Sequence, residues 1–380
     1  MAKKKIDDVS ERQDDIGADI LTLINKQFKD SPGLVATYLS DDNISDVTGW
    51  IGTTSTELDL AISNRKNGGW PVGRIIEIYG GSASGKSLLA ASAMKDTQRQ
   101  GGIGIYFDTE SAISREFFTA IGVDVNKLLI VNLECLEDIF ESIENIIERV
   151  RKDNRDKIVT IVLDSIMGAT TKQELESDYD KDGWNTSKAI ILSKAMRKLT
   201  AMIARQKVCL ILINQIRDKL GVTFGPSTTT SGGKAVGFHS SVRVELENPK
   251  KIMGQINGIE TAIGTRVTAS IKKNRVGPPF RTATFDIYFD RGIDDVASLT
   301  NVLKRMGLIK VFGSWSTFEY VKDDELVTKK FQGEGLAKMM RDDPVLLADI
   351  KDIIAEKFIM KYNSTQDVET VLEELENYED

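Results

Sequence analysis

The chain has 380 residues, 41% hydrophobic and 28% charged, with a formal net charge of −7 at pH 7. That length suits one large core with one or two satellite domains, and the composition is that of an ordinary soluble globular chain. No uninterrupted apolar run is long enough to cross a bilayer. The basic start Met1–Ile6 is followed by Asp7, Asp8 and Glu11 where a secretory leader needs an apolar stretch, so the sequence predicts a cytoplasmic protein with no membrane partner.

Charge is unevenly spread. Residues 366–380 hold Asp367, Glu369, Glu373, Glu374, Glu376, Glu379 and Asp380 with no Lys or Arg, which accounts for the whole −7. Residues 188–281 hold 17 Lys or Arg against 4 Asp or Glu, an excess of +13 that marks them as the nucleic-acid candidate or, equally, as a solvated basic face. Cys135 and Cys209 stand far apart in apolar contexts and read as buried thiols. The single histidine, His239, argues against a histidine-built zinc site, leaving carboxylates, lysines and bound metal to carry the chemistry.

In chain order, Ile16, Ile20, Leu23, Ile24 and Phe28 recur at three- and four-residue spacing and predict an amphipathic helix over residues 13–30. Its apolar face calls for a partner, either its own core or a neighbouring subunit. From residue 74, short β-branched runs alternate with helical periods, which predicts an α/β fold with a largely parallel twisted sheet covered by helices. The runs are Ile75–Tyr79, Ile103–Phe107, Val159–Leu163, Val208–Ile213, Val242–Leu246, Val267–Ile271 and Thr282–Phe289, with helices expected at Ser87–Gln100 and Leu136–Arg151. After Arg291-Gly292 the composition turns helical with a few short strands. The expected division is an N-terminal oligomerisation segment 1–40, an ATPase-type core 41–292, a small α+β domain 293–365 and the acidic tail 366–380.

Gly80-Gly81-Ser82-Ala83-Ser84-Gly85-Lys86-Ser87 fits the phosphate-binding pattern G-x-x-x-x-G-K-[ST] in full. It leaves an apolar strand and opens a helix, so backbone N–H groups and the helix N-terminus converge on phosphates, which a merely flexible Gly/Ser loop does not require. Lys86 would neutralise the β- and γ-phosphates of ATP, and the Ser87 hydroxyl would ligate Mg²⁺. Asp164, ending Ile161-Val162-Leu163-Asp164, is the second carboxylate such a site needs, or else the cap of the following helix. Glu110, in Phe107-Asp108-Thr109-Glu110, is the candidate to orient or deprotonate water, or an ordinary surface acid.

With these motifs the chain resembles the RecA family of bacterial recombinases and their phage-encoded relatives, from about residue 20 to 345. Ile24-Asn25-Lys26-Gln27-Phe28 resembles the family's N-terminal helix, and Ile75–Gly80 its P-loop strand. Ser193-Lys194-Ala195-Met196-Arg197-Lys198-Leu199 and Ile213-Asn214-Gln215-Ile216-Arg217 match almost word for word. Most specific is Gly221–Gly225 leading through Thr228-Thr229-Thr230-Ser231-Gly232-Gly233-Lys234-Ala235, which resembles the mobile DNA-binding loop confined to RecA-type recombinases.

The resemblance implies ATP-dependent pairing and strand exchange by a filament on single-stranded DNA, with homologous duplex as second substrate. Further copies of the chain, and single-strand-binding and loader proteins, are the implied partners. It makes Glu110 the catalytic glutamate and Gln215 the γ-phosphate sensor coupled to the second DNA loop. Phe117 falls where the family stacks adenine with Tyr, although its local pattern alone says core. Lys273 and Arg275 match two basic residues that reach a neighbour's ATP, with Arg in place of the second family Lys, and Phe238 an interface aromatic. Two DNA loops are implied, near residues 175–186 and 216–233. Ser193, Arg197, Gly232, Gly233 and Lys234 match phosphodiester-holding positions, and Leu220 an apolar wedge between base triplets. The chain departs from the family in a longer, more acidic first loop, in Ile190 where the family has Arg, and in Lys234 where it has a neutral polar residue. A DNA motor on the same ATPase core is the alternative reading, and a non-enzymatic ATP-assembled filament a third.

Overall fold

The computed structural model describes residues 16–31, 35–41, 46–154, 156–177, 184–218 and 228–362. Leu220, residues 178–183 of the first DNA loop and the acidic tail lie outside the described residues. The chain divides into two units, Met1–Asp46 and Val47–Asp380. In the first, the expected helix spans Ile16–Gln27. The Asn25 carboxamide ties it to the following segment, accepting from the Val35 and Ala36 N–H groups and donating to Ala36 O. Along this helix Ile16 is 75% and Leu23 64% exposed.

The second unit opens with a short antiparallel pair, β1 (Trp50–Ile51) and β2 (Trp70–Pro71). The main sheet contains β3 (Arg74–Gly80), β4 (Ile103–Asp108), β5 (Leu128–Val131), β6 (Val159–Asp164), β7 (Val208–Asp218), β8 (Thr228–Thr230), β9 (Val242–Ile256), β10 (Ile259–Asn274), β11 (Thr282–Tyr288) and β12 (Gly292–Ile293). Their order is β12-β11-β10-β9-β3-β7-β6-β4-β5, with β8 paired to β7. Neighbours from β9 to β5 are parallel, and β10 to β12 run antiparallel.

Both faces of the parallel part are apolar because its strands are covered on both sides. Ile76, Ile78, Val162, Ile211 and Ile213 point into one core with the helix Lys86–Arg99. The alternate residues Ile75, Ile161, Leu163, Leu210 and Leu212 point into the other, against the helices Leu136–Asp153 and Trp184–Gln206. Period-two alternation divides one strand between two cores. A third core joins β13 (Ile309–Phe312), β14 (Trp315–Lys322) and β15 (Glu325–Phe331) to the helices Asp295–Arg305, Gly335–Asp342 and Pro344–Phe358. The last helix starts with Pro344 after Asp343, whose carboxylate accepts from the Val345 and Leu346 N–H groups.

Two features differ from the sequence expectation. β7 does not stop at Ile213 but runs to Asp218, because β8 pairs with its extension at Ile216↔Thr230. β9 and β10 form a long hairpin closed by Asn257 and Gly258 at φ 53° and 82°. The segment after Arg291 carries the expected helices and few short strands, with β13–β15 paired as an antiparallel sheet.

Candidate nucleotide and DNA sites

The parallel register brings the expected nucleotide residues to one sheet edge. Gly80 lies opposite Gln215, and Asp108 opposite Asp164. The carboxyl ends of parallel strands form the usual ligand crevice of an open α/β sheet. Gly85 caps the following helix at φ +94°, where an added Cβ would stand 2.6 Å from Ile287 Cδ1. Ser82 and Ala83 are exposed, and Ala83 holds φ 55°. Lys86 is buried and donates to Gly81 O at 2.6 Å and Gly80 O at 3.2 Å. Burial lowers its pKa, while the Asp164 and Glu110 carboxylates act in the other direction. Ser84 Oγ is buried without a hydrogen-bond partner, a polar atom inside a phosphate-binding loop that lacks its acceptor or donor.

Asp164 ends β6 and accepts from the Tyr106 hydroxyl at 2.7 Å. Burial raises its carboxyl pKa; hydrogen bonds from Ser87 and Tyr106 act against that rise. The P-loop serine and the β6 carboxylate are therefore in mutual reach. Among the described residues no group of three or more His, Cys, Asp or Glu forms a metal cage. A nucleotide-borne Mg²⁺ needs none, since it takes one or two carboxylates plus phosphate oxygens and water.

Glu110 is held by its neighbours. The buried Asp108 carboxylate accepts from the N–H groups of Glu110, Ala112 and Ile113 at 3.2, 3.3 and 3.2 Å and shapes the loop after β4. Thr109 Oγ1 donates to Ser165 O at 2.8 Å and accepts from Ser165 N at 2.9 Å, joining this loop to the end of β6. Glu110 Oε1 then accepts from Ser165 Oγ at 2.5 Å and from Gln215 Nε2 at 3.3 Å. Asp108, Ser165 and Tyr106 were not singled out from the sequence. An acid two residues before Glu110, at a strand end, was the available signal for the first.

Behind Gln215, Asn214 is fully buried. Its amide donates to Glu77 Oε1 at 2.9 Å and to Ser231 O at 3.0 Å, and its Oδ1 accepts from the Gln215 N–H. Glu77, also fully buried, pairs with Arg243. One buried network thus links the P-loop strand to the returning end of the loop that begins after Gln215.

Ser193 and Arg197, on the helix Trp184–Gln206, share a groove with Gly232, Lys234, Phe238 and His239. Gly232 has φ +83°, and a Cβ there would stand 2.3 Å from Leu192 Cδ1, so the close approach requires glycine. Gly233 and Lys234 beside it are exposed. The structure therefore brings together every described DNA-contact candidate, and adds His239, which the sequence reading had not assigned to DNA.

Lys273 and Arg275 are not brought to this chain's own P-loop. β10 pairs Asn274 with Val242, and Val242 pairs with Ile76, toward the opposite end of β3 from Gly80. Lys273 Nζ donates to Gly237 O at 2.9 Å and Phe238 O at 2.7 Å, and Arg275 and Phe238 are exposed. Burial, then the Arg275 and Arg243 charges, push the Lys273 pKa down to about 8. Phe117 is half-buried, its ring 6.0 Å from Phe118 in an edge contact. Cys135 and Cys209 are free and buried, as expected. Among the described residues no helix is long and apolar enough to cross a membrane.

The family model for the RecA N-terminal domain matches residues 17–294 of the chain. Protein RecA of Arthrobacter sp. (strain FB24) is 34% identical over 340 residues, covering 89% of this chain and 89% of that protein. Protein RecA of Chlamydia felis is 38% identical over 270 residues, 71% of this chain and 73% of that protein. Protein RecA of Bacteroides thetaiotaomicron is 36% identical over 319 residues, 84% of this chain and 90% of that protein.

Proposed function

Since the chain belongs to the RecA family, and is thus a DNA-dependent ATPase of recombination and repair, we propose that it acts as a cytoplasmic filament exchanging strands between single-stranded DNA and homologous duplex. The observation that carries the coupling is the Gln215 to Glu110 hydrogen bond, on a strand that runs directly into a DNA loop.

The P-loop residues Gly80–Ser87 fit ATP. Lys86 spends its ammonium on its own loop carbonyls and Ser84 has no partner, so a phosphate offers both groups something better. Ser87 and Asp164 would hold Mg²⁺, which spreads the negative charge of the phosphates when bound. Glu110 orients the attacking water and takes its proton, Lys86 neutralises the charge growing on the γ-phosphate, and Phe117 lies against the adenine. Lys273 and Arg275 act on the ATP of the adjacent subunit, which ties hydrolysis to assembly. The apolar Ile16, Ile20 and Leu23 on one face of the helix Ile16–Gln27 support residues 1–40 as the oligomerisation segment. Residues 41–292 act as the core and 293–365 as a small C-terminal domain.

With ATP present Gln215 exchanges Glu110 for the γ-phosphate and shifts the population of the loop after β7 toward its DNA-gripping state. Arg197, Ser193, Lys234 and the backbone N–H groups of Gly232 and Gly233 hold phosphates without reading sequence, while Leu220 parts the bases. Single-strand-binding and loader proteins control access to the strand.

The test is ATP-dependent exchange between circular single-stranded DNA and homologous linear duplex, with heterologous duplex as control. Joint molecules with the homologous duplex alone support the recombinase. Unwinding without regard to homology supports a motor.

A further inference from the structure

His239 is the single histidine of the chain, and its ring lines the groove that holds Ser193, Arg197, Gly232 and Lys234. Two contacts fix the ring. Phe238 packs edge-on with centroids 5.3 Å apart, and Nδ1 lies 3.0 Å from Thr200 Oγ1. Thr200 Oγ1 also donates to Met196 O at 2.6 Å. A hydroxyl has one hydrogen, and with it donated to Met196 O the Thr200 oxygen accepts from His239, which assigns the ring's proton to Nδ1. In the neutral ring Nε2 is then a bare lone pair, which repels a phosphate oxygen. Only the imidazolium can offer a phosphate an N–H from that edge.

The charged groups facing the ring are Arg197 from the long helix, Lys273 from β10 and Arg275 just beyond it, all cationic. Burial first, then these three charges, hold the His239 pKa below its ordinary value, which favours the neutral ring when no DNA is bound. A phosphate entering the groove reverses the electrostatics, because it offsets the cations and supplies an acceptor to Nε2–H.

We propose that His239 is a proton-linked DNA contact, whose imidazolium grips a backbone phosphate of the strand lying in this groove. The inference rests on reading the groove as the DNA path. Binding raises the proton affinity of the ring, so the complex takes up a proton. Affinity must therefore rise as pH falls, by at most about tenfold per pH unit for one proton.

The experiment is fluorescence anisotropy of labelled oligothymidylate with the full chain and a non-hydrolysable ATP analogue, at fixed ionic strength between pH 8 and pH 6. Wild type should tighten several-fold as pH falls. His239→Gln should lose most of that slope, and His239→Arg, a cation at every pH in this range, should bind more tightly than wild type at pH 8 with little slope. Calorimetry in two buffers of different ionisation heat should show net proton uptake for wild type and less for His239→Gln. Equal slopes for wild type and His239→Gln, with Arg197→Ala weak at every pH, overturn the histidine assignment and leave the groove standing. Arg197→Ala binding like wild type throughout overturns the groove and the histidine together.

Discussion

The side-chain amide of Gln215 donates to Glu110 Oε1 at 3.3 Å, joining the carboxylate expected to activate water to the strand that leads into the loop proposed to bind DNA. Gln215 has one amide to give in that direction, and a γ-phosphate competes with Glu110 for it. Loss of the amide should therefore disconnect the two sites without emptying either. For Gln215→Ala we expect ATP binding retained and the stimulation of ATPase by single-stranded DNA reduced about tenfold, within the usual range of coupling free energies. The check is kcat with and without DNA alongside nucleotide affinity; stimulation at the wild-type level would remove Gln215 from the coupling.

Glu110→Gln keeps the shape of the side chain and its acceptor for Ser165 Oγ but removes the base. We expect kcat to fall by about 10² to 10⁴, the usual contribution of a positioned general base. ATP-dependent filaments should still form, and should dissociate slowly. Hydrolysis at the wild-type rate would assign the water to another residue.

The parts of the site legible in the sequence are those set by short local words. The P-loop and Asp164 sit where a strand ends and Glu110 two residues beyond one, and strand ends show as apolar runs stopping at a polar residue. Gln215, by contrast, lies inside β7 and was legible only through the resemblance to the family. The helix Ile16–Gln27 was legible because one face is uniformly apolar. The Asn214–Glu77–Arg243 network was not, since its contacts join residues 137 and 166 positions apart and each residue looks locally like any polar break in a strand. The outer half of the β9–β10 hairpin was missed for a different reason. Lys250, Lys251, Met253, Ile256 and Ile259 are all exposed there, so the alternation that burial imposes on one face is lacking.

That network has a measurable stability. Glu77 is fully buried and is the counter-ion of Arg243, whose side chain is 23% accessible. Glu77→Ala leaves a largely buried guanidinium unpaired and one amide hydrogen of Asn214 without its acceptor. Breaking such a pair from one side costs about 3–5 kcal/mol, and the lower end applies because Arg243 keeps some access to water. Glu77→Gln, which keeps an oxygen for Asn214, should cost less. Urea unfolding of the two variants checks this, and a loss under about 1 kcal/mol for Glu77→Ala would show that solvent screens the pair.

Lys273 gives the pH dependence of hydrolysis a definite sign. Burial and the neighbouring Arg275 and Arg243 push its pKa down to about 8, so the ammonium is charged below that pH and neutral above it. A neighbour's γ-phosphate beside it favours the charged form, which places the midpoint in the filament at or above 8. If Lys273 is the cation acting across the subunit interface, DNA-stimulated ATPase should decline as pH rises from neutrality through that midpoint. Lys273→Arg keeps its charge throughout, because a guanidinium does not titrate in this range. Its absolute rate should fall, since the two carbonyls that Nζ now meets, Gly237 O and Phe238 O, are spaced for an ammonium. The shape of the profile is the decisive readout. A flat alkaline limb in Lys273→Arg assigns the decline to Lys273, whereas the wild-type profile retained in the variant assigns it elsewhere and removes Lys273 from the hydrolytic centre.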